Sequence, residues 1–209
     1  AAEPATVGCD AGKLQDAVGA IRQLVEQHEV CGAVLFVARG RSIVLHEALG
    51  ARDASGVKPM KEDTLFRMAS NTKAVTAAAV LTLVDEGKVG LDDPIHKWFP
   101  TWGSGDAKKV TVRHLLTHSS GLRIRTLFMM PLMKKSELHP DAPNLVLESA
   151  RFGGVGPKAE PGQTYSYSNP GYNTLAGLVE VVTGNSFEGY CTERLYQPLG
   201  MIDTNNHES

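Results

Sequence analysis

Aromatic residues are scarce in this chain of 209 residues, at 6%, and cysteine occurs only three times. Cys9, Cys31 and Cys191 show no C-x-x-C spacing, so neither a disulfide framework nor a zinc site is supported, and the sequence leaves open one bridge or none. Neither sign of charge dominates. With 21 Lys and Arg against 23 Asp and Glu the net charge is −2, which gives no field toward nucleic acid or an anionic membrane, and no nucleic-acid partner is expected. Long hydrophobic runs are missing too. The one extended apolar stretch, residues 68–84, holds Ser70, Asn71, Thr72 and Lys73, which a bilayer penalises, so no membrane span is expected. Repeats and low-complexity tracts are absent. What is present, 42% hydrophobic and 21% charged residues, suits an ordinary globular protein with one sizeable core. The opening AAEPATVGC, small residues without a basic start or apolar run, would suit a mature end left after export, and a periplasmic or extracellular location is the expectation.

From Lys13 to His28, Leu14, Val18, Ile21, Leu24 and Val25 recur at spacings of three and four and predict an amphipathic helix lying on a sheet. AVLFVA (33–38) and SIVLHEAL (42–49), separated by Arg39, Gly40 and Arg41, predict an antiparallel hairpin. Residues 51–63 are turn chemistry. Ser70 to Glu86 predicts a helix apolar on nearly all sides, hence interior, closed by Gly87. A short helix is predicted from near Thr111 and stopped by Gly121, and another from Asn144 to Arg151. The Met- and Pro-rich tract between those two reads as an irregular flap, in which Met129, Met130, Leu132 and Met133 would cover the core or line an apolar pocket. GGVGPKAEPG (153–162) reads as a loop, followed by helical spacing at 173–183 and 187–195. A two-stranded hairpin needs further strands to be stable. Nothing after residue 100 reads as one, so the remaining strands are expected outside this chain.

Two short patterns carry chemistry. A serine hydroxyl is a weak nucleophile unless a base takes its proton, and a lysine serves only if burial or neighbouring charge lowers its pKa. Residues i and i+3 share a helix face, so Ser70 and Lys73 are expected side by side in a segment apolar enough to desolvate both. The helix N-terminus would add unpaired N–H groups for an oxyanion. The plainer alternative is that Ser70 is a helix cap and Lys73 a solvated first-turn residue. A second S-x-x-K, Ser55 to Lys58, sits in a loop with Pro59 behind it and is discarded. Tyr167 and Asn169, two apart in YSN, would face one site from an extended segment, unless they are a packed tyrosine and a turn former. His114 and His118 are four apart, but no third ligand follows, so no metal is expected.

MASNTK resembles the S-x-x-K motif of the serine β-lactamases and penicillin-binding proteins. YSNPGYNTLAGLVEVVTG resembles their Y-x-N motif in the form typical of class C β-lactamases and related DD-peptidases and esterases. VTVRHLLTHSSGL looks like that family's LLTHTSGL segment, with Ser119 in place of the commoner threonine, and LYQPLGMIDT like its PLGM stretch. The likeness covers about residues 30–205.

The resemblance implies an α/β (α+β), β-lactamase-like two-domain fold: a mixed antiparallel sheet flanked by helices, plus a helical domain. Residues 1–66 would be the N-terminal part of the α/β domain and residues 67–209 the helical domain with both motifs. It implies a serine hydrolase working through a covalent acyl-serine on β-lactams, D-Ala-D-Ala peptides or small esters, β-lactamase-like first among these. The alternative is a penicillin-binding sensor or scaffold without turnover. Ser70 would be the nucleophile, with its N–H half of the oxyanion hole, Lys73 the base or proton relay, Tyr167 a second proton-transfer group, and Asn169 a substrate-binding amide. No cofactor is implied. The partners would be a small-molecule or peptide acyl donor and a complementary C-terminal segment of the same protein, since the family's third motif is not in this sequence. This chain alone would then be inactive.

Overall fold

The computed structural model describes residues 2–124, 135–138, 140–141 and 144–205. The chain divides into two compact units, Ala1–Arg67 and Met68–Ser209. In the first, helix α1 (Ala11–Glu26) starts where the Asp10 carboxylate accepts the Lys13 N–H, an N-cap that satisfies a donor the helix cannot. Its stripe of Leu14, Val18, Ile21 and Val25 packs on Leu35, Val37, Leu45 and Leu49. Those come from strands β1 (Gly32–Arg39) and β2 (Ser42–Gly50), the predicted antiparallel hairpin, paired Phe36 to His46 with a bulge between Val37 and Ala38. Among the described residues the sheet has these two strands only.

The second unit is helical. A 3₁₀ turn, Ala69–Asn71, leads into α2 (Thr72–Asp85), whose Thr76, Ala79, Val80 and Leu83 are buried. Helix α3 (Val112–Leu116) opens with a reciprocal cap: the Thr111 hydroxyl accepts the His114 N–H, and His114 Nδ1 accepts the Thr111 N–H, each at 3.3 Å. That contact gives the His114 imidazole a structural use. Helix α5 (Asn169–Thr183) packs on α2, α3 and α4 (Leu145–Val155), and α6 (Phe187–Cys191) runs on into a π turn, Thr192–Tyr196. Trp102, Ile95, Leu115, Phe152, Leu175 and Leu178 form the centre of the core.

Two sequence expectations are corrected. Helix α4 does not stop at Arg151 but continues through Gly153 and Gly154, residues read above as loop. The cause is packing: a Cβ on Gly153 would lie 2.3 Å from Trp102 Cδ1, so glycine there admits an indole whose Nε1 donates to the Ser149 carbonyl at 2.8 Å. Helix α5 also starts earlier than position 173, at Asn169, because Ser168 caps it by accepting the Gly171 N–H and Pro170 suits its first turn. Most of the Met- and Pro-rich flap, with Met129, Met130, Leu132 and Met133, lies outside the described residues. Cys9, Cys31 and Cys191 form no disulfide among the described residues. Among the described residues no helix is long and apolar enough to cross a membrane.

Candidate active site

Ser70 is the middle residue of the 3₁₀ turn ahead of α2, a turn in which the Asn71 N–H donates to the Met68 carbonyl at 2.9 Å and the Thr72 N–H to the Ala69 carbonyl. Ala69 just before it has φ +44°, a left-handed conformation that costs a non-glycine residue of order 1–3 kcal/mol and persists only where the surroundings enforce it. One helical turn on, Lys73 Nζ donates to Ser70 Oγ at 3.2 Å, as the i, i+3 spacing predicts.

The second motif reaches the same atom. Tyr167 Oη donates to Ser70 Oγ at 2.7 Å. What carries Tyr167 there is a set of rungs between residues 118–121 and 158–168. The Lys158 N–H donates to the Gly121 carbonyl at 2.9 Å, Gly162 to Ser119 at 2.7 Å and Ser166 to His118 at 2.7 Å. The Ser168 N–H donates to His118 Nδ1 at 3.1 Å. Gly121, at φ +74°, meets the incoming segment so closely that a Cβ would sit 2.1 Å from the Ala159 carbonyl oxygen. The THSSG segment is thus the frame on which the tyrosine is mounted.

Aromatic rings surround the ammonium. Lys73 Nζ lies 4.6 Å from the Tyr167 ring centroid and 5.8 Å from that of Tyr172, distances at which a ring face attracts a cation. Tyr172 is fixed by its own hydroxyl, which donates to the Leu116 carbonyl at 2.9 Å. The His118 ring lies 4.6 Å from Tyr167, 5.0 Å from Tyr172 and 5.7 Å from Tyr165. Lys73 first and the Ser70 hydroxyl second hold the Tyr167 phenol below its ordinary pKa, because both stabilise the phenolate. Burial first, then the charge on Lys73, hold His118 below the ordinary imidazole value.

The structure therefore brings Ser70, Lys73 and Tyr167 together. Asn169 is different. It is the first residue of α5 rather than part of an extended segment, and its Oδ1 is buried without a hydrogen-bond partner among the described residues. The dry surroundings expected for Ser70 and Lys73 are also not observed: Ser70 is exposed, Lys73 half-buried and Tyr167 50% exposed. Burial along α2 begins only at Thr76, so the first turn is lined by tyrosine rings instead of aliphatic core. His118 and Tyr172 escaped the sequence reading as site residues. Their signal was an aromatic recurrence, Tyr165, Tyr167 and Tyr172, around one short motif.

Residues 18–209 match the Beta-lactamase family. Esterase EstB of Burkholderia gladioli is 34% identical over 96% of the chain and 54% of that protein. Among solved structures, the D-amino acid amidase of Ochrobactrum anthropi SV3, complexed with L-phenylalanine amide, matches with a TM-score of 0.72 at 31% identity, over 90% of the chain and 50% of its own. The octameric penicillin-binding protein homologue of Pyrococcus abyssi matches with a TM-score of 0.71 at 30% identity, over 92% and 43%. The chain spans about half the length of the curated relatives it matches.

Proposed function

The chain belongs to the beta-lactamase family, and on that premise we propose that it is the part of a serine hydrolase that carries the nucleophile and its proton-transfer groups, acting by acyl transfer on ester or amide donors, β-lactams included. One observation carries the reading: Ser70 Oγ lies within hydrogen-bond distance of both Tyr167 Oη, 2.7 Å, and Lys73 Nζ, 3.2 Å. A phenol used as a base must lose its proton near neutral pH, and the lowering of the Tyr167 pKa by the adjacent ammonium supports that use.

The chemistry follows from these positions. Ser70 Oγ attacks the acyl carbon while its proton passes to the Tyr167 phenolate, which Lys73 has kept available. The carbonyl oxygen gains the charge, and the Ser70 N–H in the opening turn would donate to it. As the carbonyl re-forms, the bond to the leaving alcohol or amine breaks and Tyr167 returns the proton to that group, leaving an acyl-serine. Water then attacks the ester, again delivering its proton to Tyr167, and Ser70 recovers its hydrogen on release of the acid. Asn169 Oδ1, buried without a partner among the described residues, would pair with a donor on the substrate after its side chain turns into the site.

A labelled penicillin or fluorophosphonate is expected to add its acyl or phosphonyl group to Ser70, with the label absent in Ser70→Ala; labelling that survives the change removes the assignment. Nitrocefin, a p-nitrophenyl ester and a D-Ala-D-Ala peptide then separate the substrate classes. A protein that is acylated once and shows no steady release after the burst would be a sensor rather than an enzyme.

A further inference from the structure

We propose that His118 is the positioning residue of this site: as a neutral imidazole it grips the segment that bears Tyr167, and its protonation in acid releases the phenol from Ser70. The proposal rests on the acyl-transfer reading for its catalytic consequence, but not for the grip itself.

The grip has two points. The backbone N–H groups on either side of Tyr167 are both taken by this one residue, that of Ser166 by the His118 carbonyl at 2.7 Å and that of Ser168 by Nδ1 at 3.1 Å. A third contact is the ring itself, tilted 30° to the Tyr167 ring with centroids 4.6 Å apart. His118 holds this place with φ +57°, one of three non-glycine residues described with positive φ. Backbone of that kind is retained where the surrounding fold dictates it.

The protonation state follows from the partner. A backbone N–H can only donate, so Nδ1 must offer its lone pair and the single ring proton sits on Nε2. A second proton on Nδ1 would set two donors against each other and abolish that bond. Among the described residues, the groups facing the ring are Lys73 from α2, Tyr165 and Tyr167 from the gripped segment, and Tyr172 from α5. None of these is a carboxylate that would welcome an imidazolium, and Lys73 opposes it.

Two variants separate grip from simple packing. In His118→Asn the side-chain oxygen can take the Ser168 N–H, the residue tolerates a left-handed backbone, and nothing titrates. In His118→Gly the backbone is satisfied and the acceptor is gone. The rate of fluorophosphonate labelling at Ser70 is followed from pH 5 to pH 8, with folding checked by circular dichroism. Below the pKa of His118 the unaltered protein is expected to slow by about tenfold per pH unit beyond the fall that protonation of Tyr167 itself causes. His118→Asn should label at pH 8 within about threefold of the unaltered protein and lose that extra steepness, keeping only the Tyr167 limb, and His118→Gly should fall by about a hundredfold, the scale of a misplaced catalytic group. An unchanged steepness in His118→Asn, or an unchanged rate in His118→Gly, overturns the proposal. A second measurement is independent of reactivity: with tyrosine labelled at Cζ, the Tyr167 resonance, assigned through Tyr167→Phe, should shift as His118 titrates and stop doing so in His118→Asn. If that coupling is seen but Ser70 is never labelled, the hydrolase reading fails and the grip stands; if Ser70 labels normally and Tyr167 ignores His118, the reverse holds.

Discussion

Tyr167 Oη and Ser70 Oγ, 97 positions apart in sequence, are 2.7 Å apart in the structure. No local propensity produces such a contact, and it links the two motifs in one hydrogen bond. Tyr167→Phe keeps the ring contacts with His118 and Lys73 and removes only the hydroxyl. Acylation of Ser70 at pH 7 is expected to slow by roughly a hundred- to ten-thousandfold, the usual worth of a positioned proton-transfer group. The midpoint of denaturant unfolding should hardly move, since the phenol is half-exposed. Acylation at the unaltered rate would exclude Tyr167 from the chemistry.

Lys73→Met tests the electrostatic role of the ammonium. Without the ammonium, Tyr167 loses the main stabiliser of its phenolate and its pKa moves toward about 10. The phenolate then forms only at higher pH, so the acid limb of the acylation profile is expected to shift upward and the rate at pH 7 to fall. A profile that keeps its position would mean Lys73 does not tune Tyr167.

Asn169 Oδ1, buried without a partner among the described residues, would reach a substrate once its side chain turns into the site, and such a contact predicts a difference between substrate types. An amide N–H can pair with Oδ1, and an ester oxygen cannot. Asn169→Ala is therefore expected to cost amide substrates such as a D-Ala-D-Ala peptide more than a p-nitrophenyl ester. The gap in kcat/KM should be about five- to 150-fold, from the roughly 1–3 kcal/mol of a buried polar group left unpaired. Equal losses on both substrates would argue for a structural role at the start of α5.

Stability should depend on His118 with a definite sign. Its pKa in the folded protein lies below the unfolded value of 6.5, so the native state binds fewer protons and acid favours unfolding. This contribution is complete above about pH 6.5 and declines as the pH falls through the folded value. Urea melts between pH 7.5 and 5 are expected to show the loss in the unaltered protein and a smaller one in His118→Asn. The carboxylates held low by their partners, Asp92 by Arg113 and Asp93 by Lys97, titrate below that range.

Gly153→Ala sets two effects against each other. Alanine in a helix interior is favoured over glycine by about 1 kcal/mol. The new methyl, however, would start 2.3 Å from Trp102, and overpacking of a tight core costs roughly 1–3 kcal/mol. Trp102 is fully buried and held by the Ser149 carbonyl, so it has little room to yield, and net destabilisation is expected in a denaturant titration. A gain in stability would show that the indole can move.

Much of this was readable in advance where the cause is local. The stripe of α1, the Gly40 turn between β1 and β2 and the Thr111 start of α3 are written within a few residues of where they act. The run of α4 through Gly153 was not, because its cause is an indole on a distant segment. The i, i+3 pairing of Ser70 with Lys73 followed from helix periodicity, but their exposure did not, since an apolar sequence does not say where burial along it begins. His118 was weighed beside His114 as a metal face. Its observed use is a bond to a backbone group 50 positions later, which spacing cannot reveal.

The tyrosines also differ in how readily they ionise. Tyr167 is pulled down by Lys73, whereas burial pushes Tyr172 and Tyr190 up. On raising the pH, the near-ultraviolet absorption of phenolate should therefore appear at Tyr167 ahead of those two. The protein carries its own optical indicator beside Ser70, and the readiness of the site can be watched without any substrate being added.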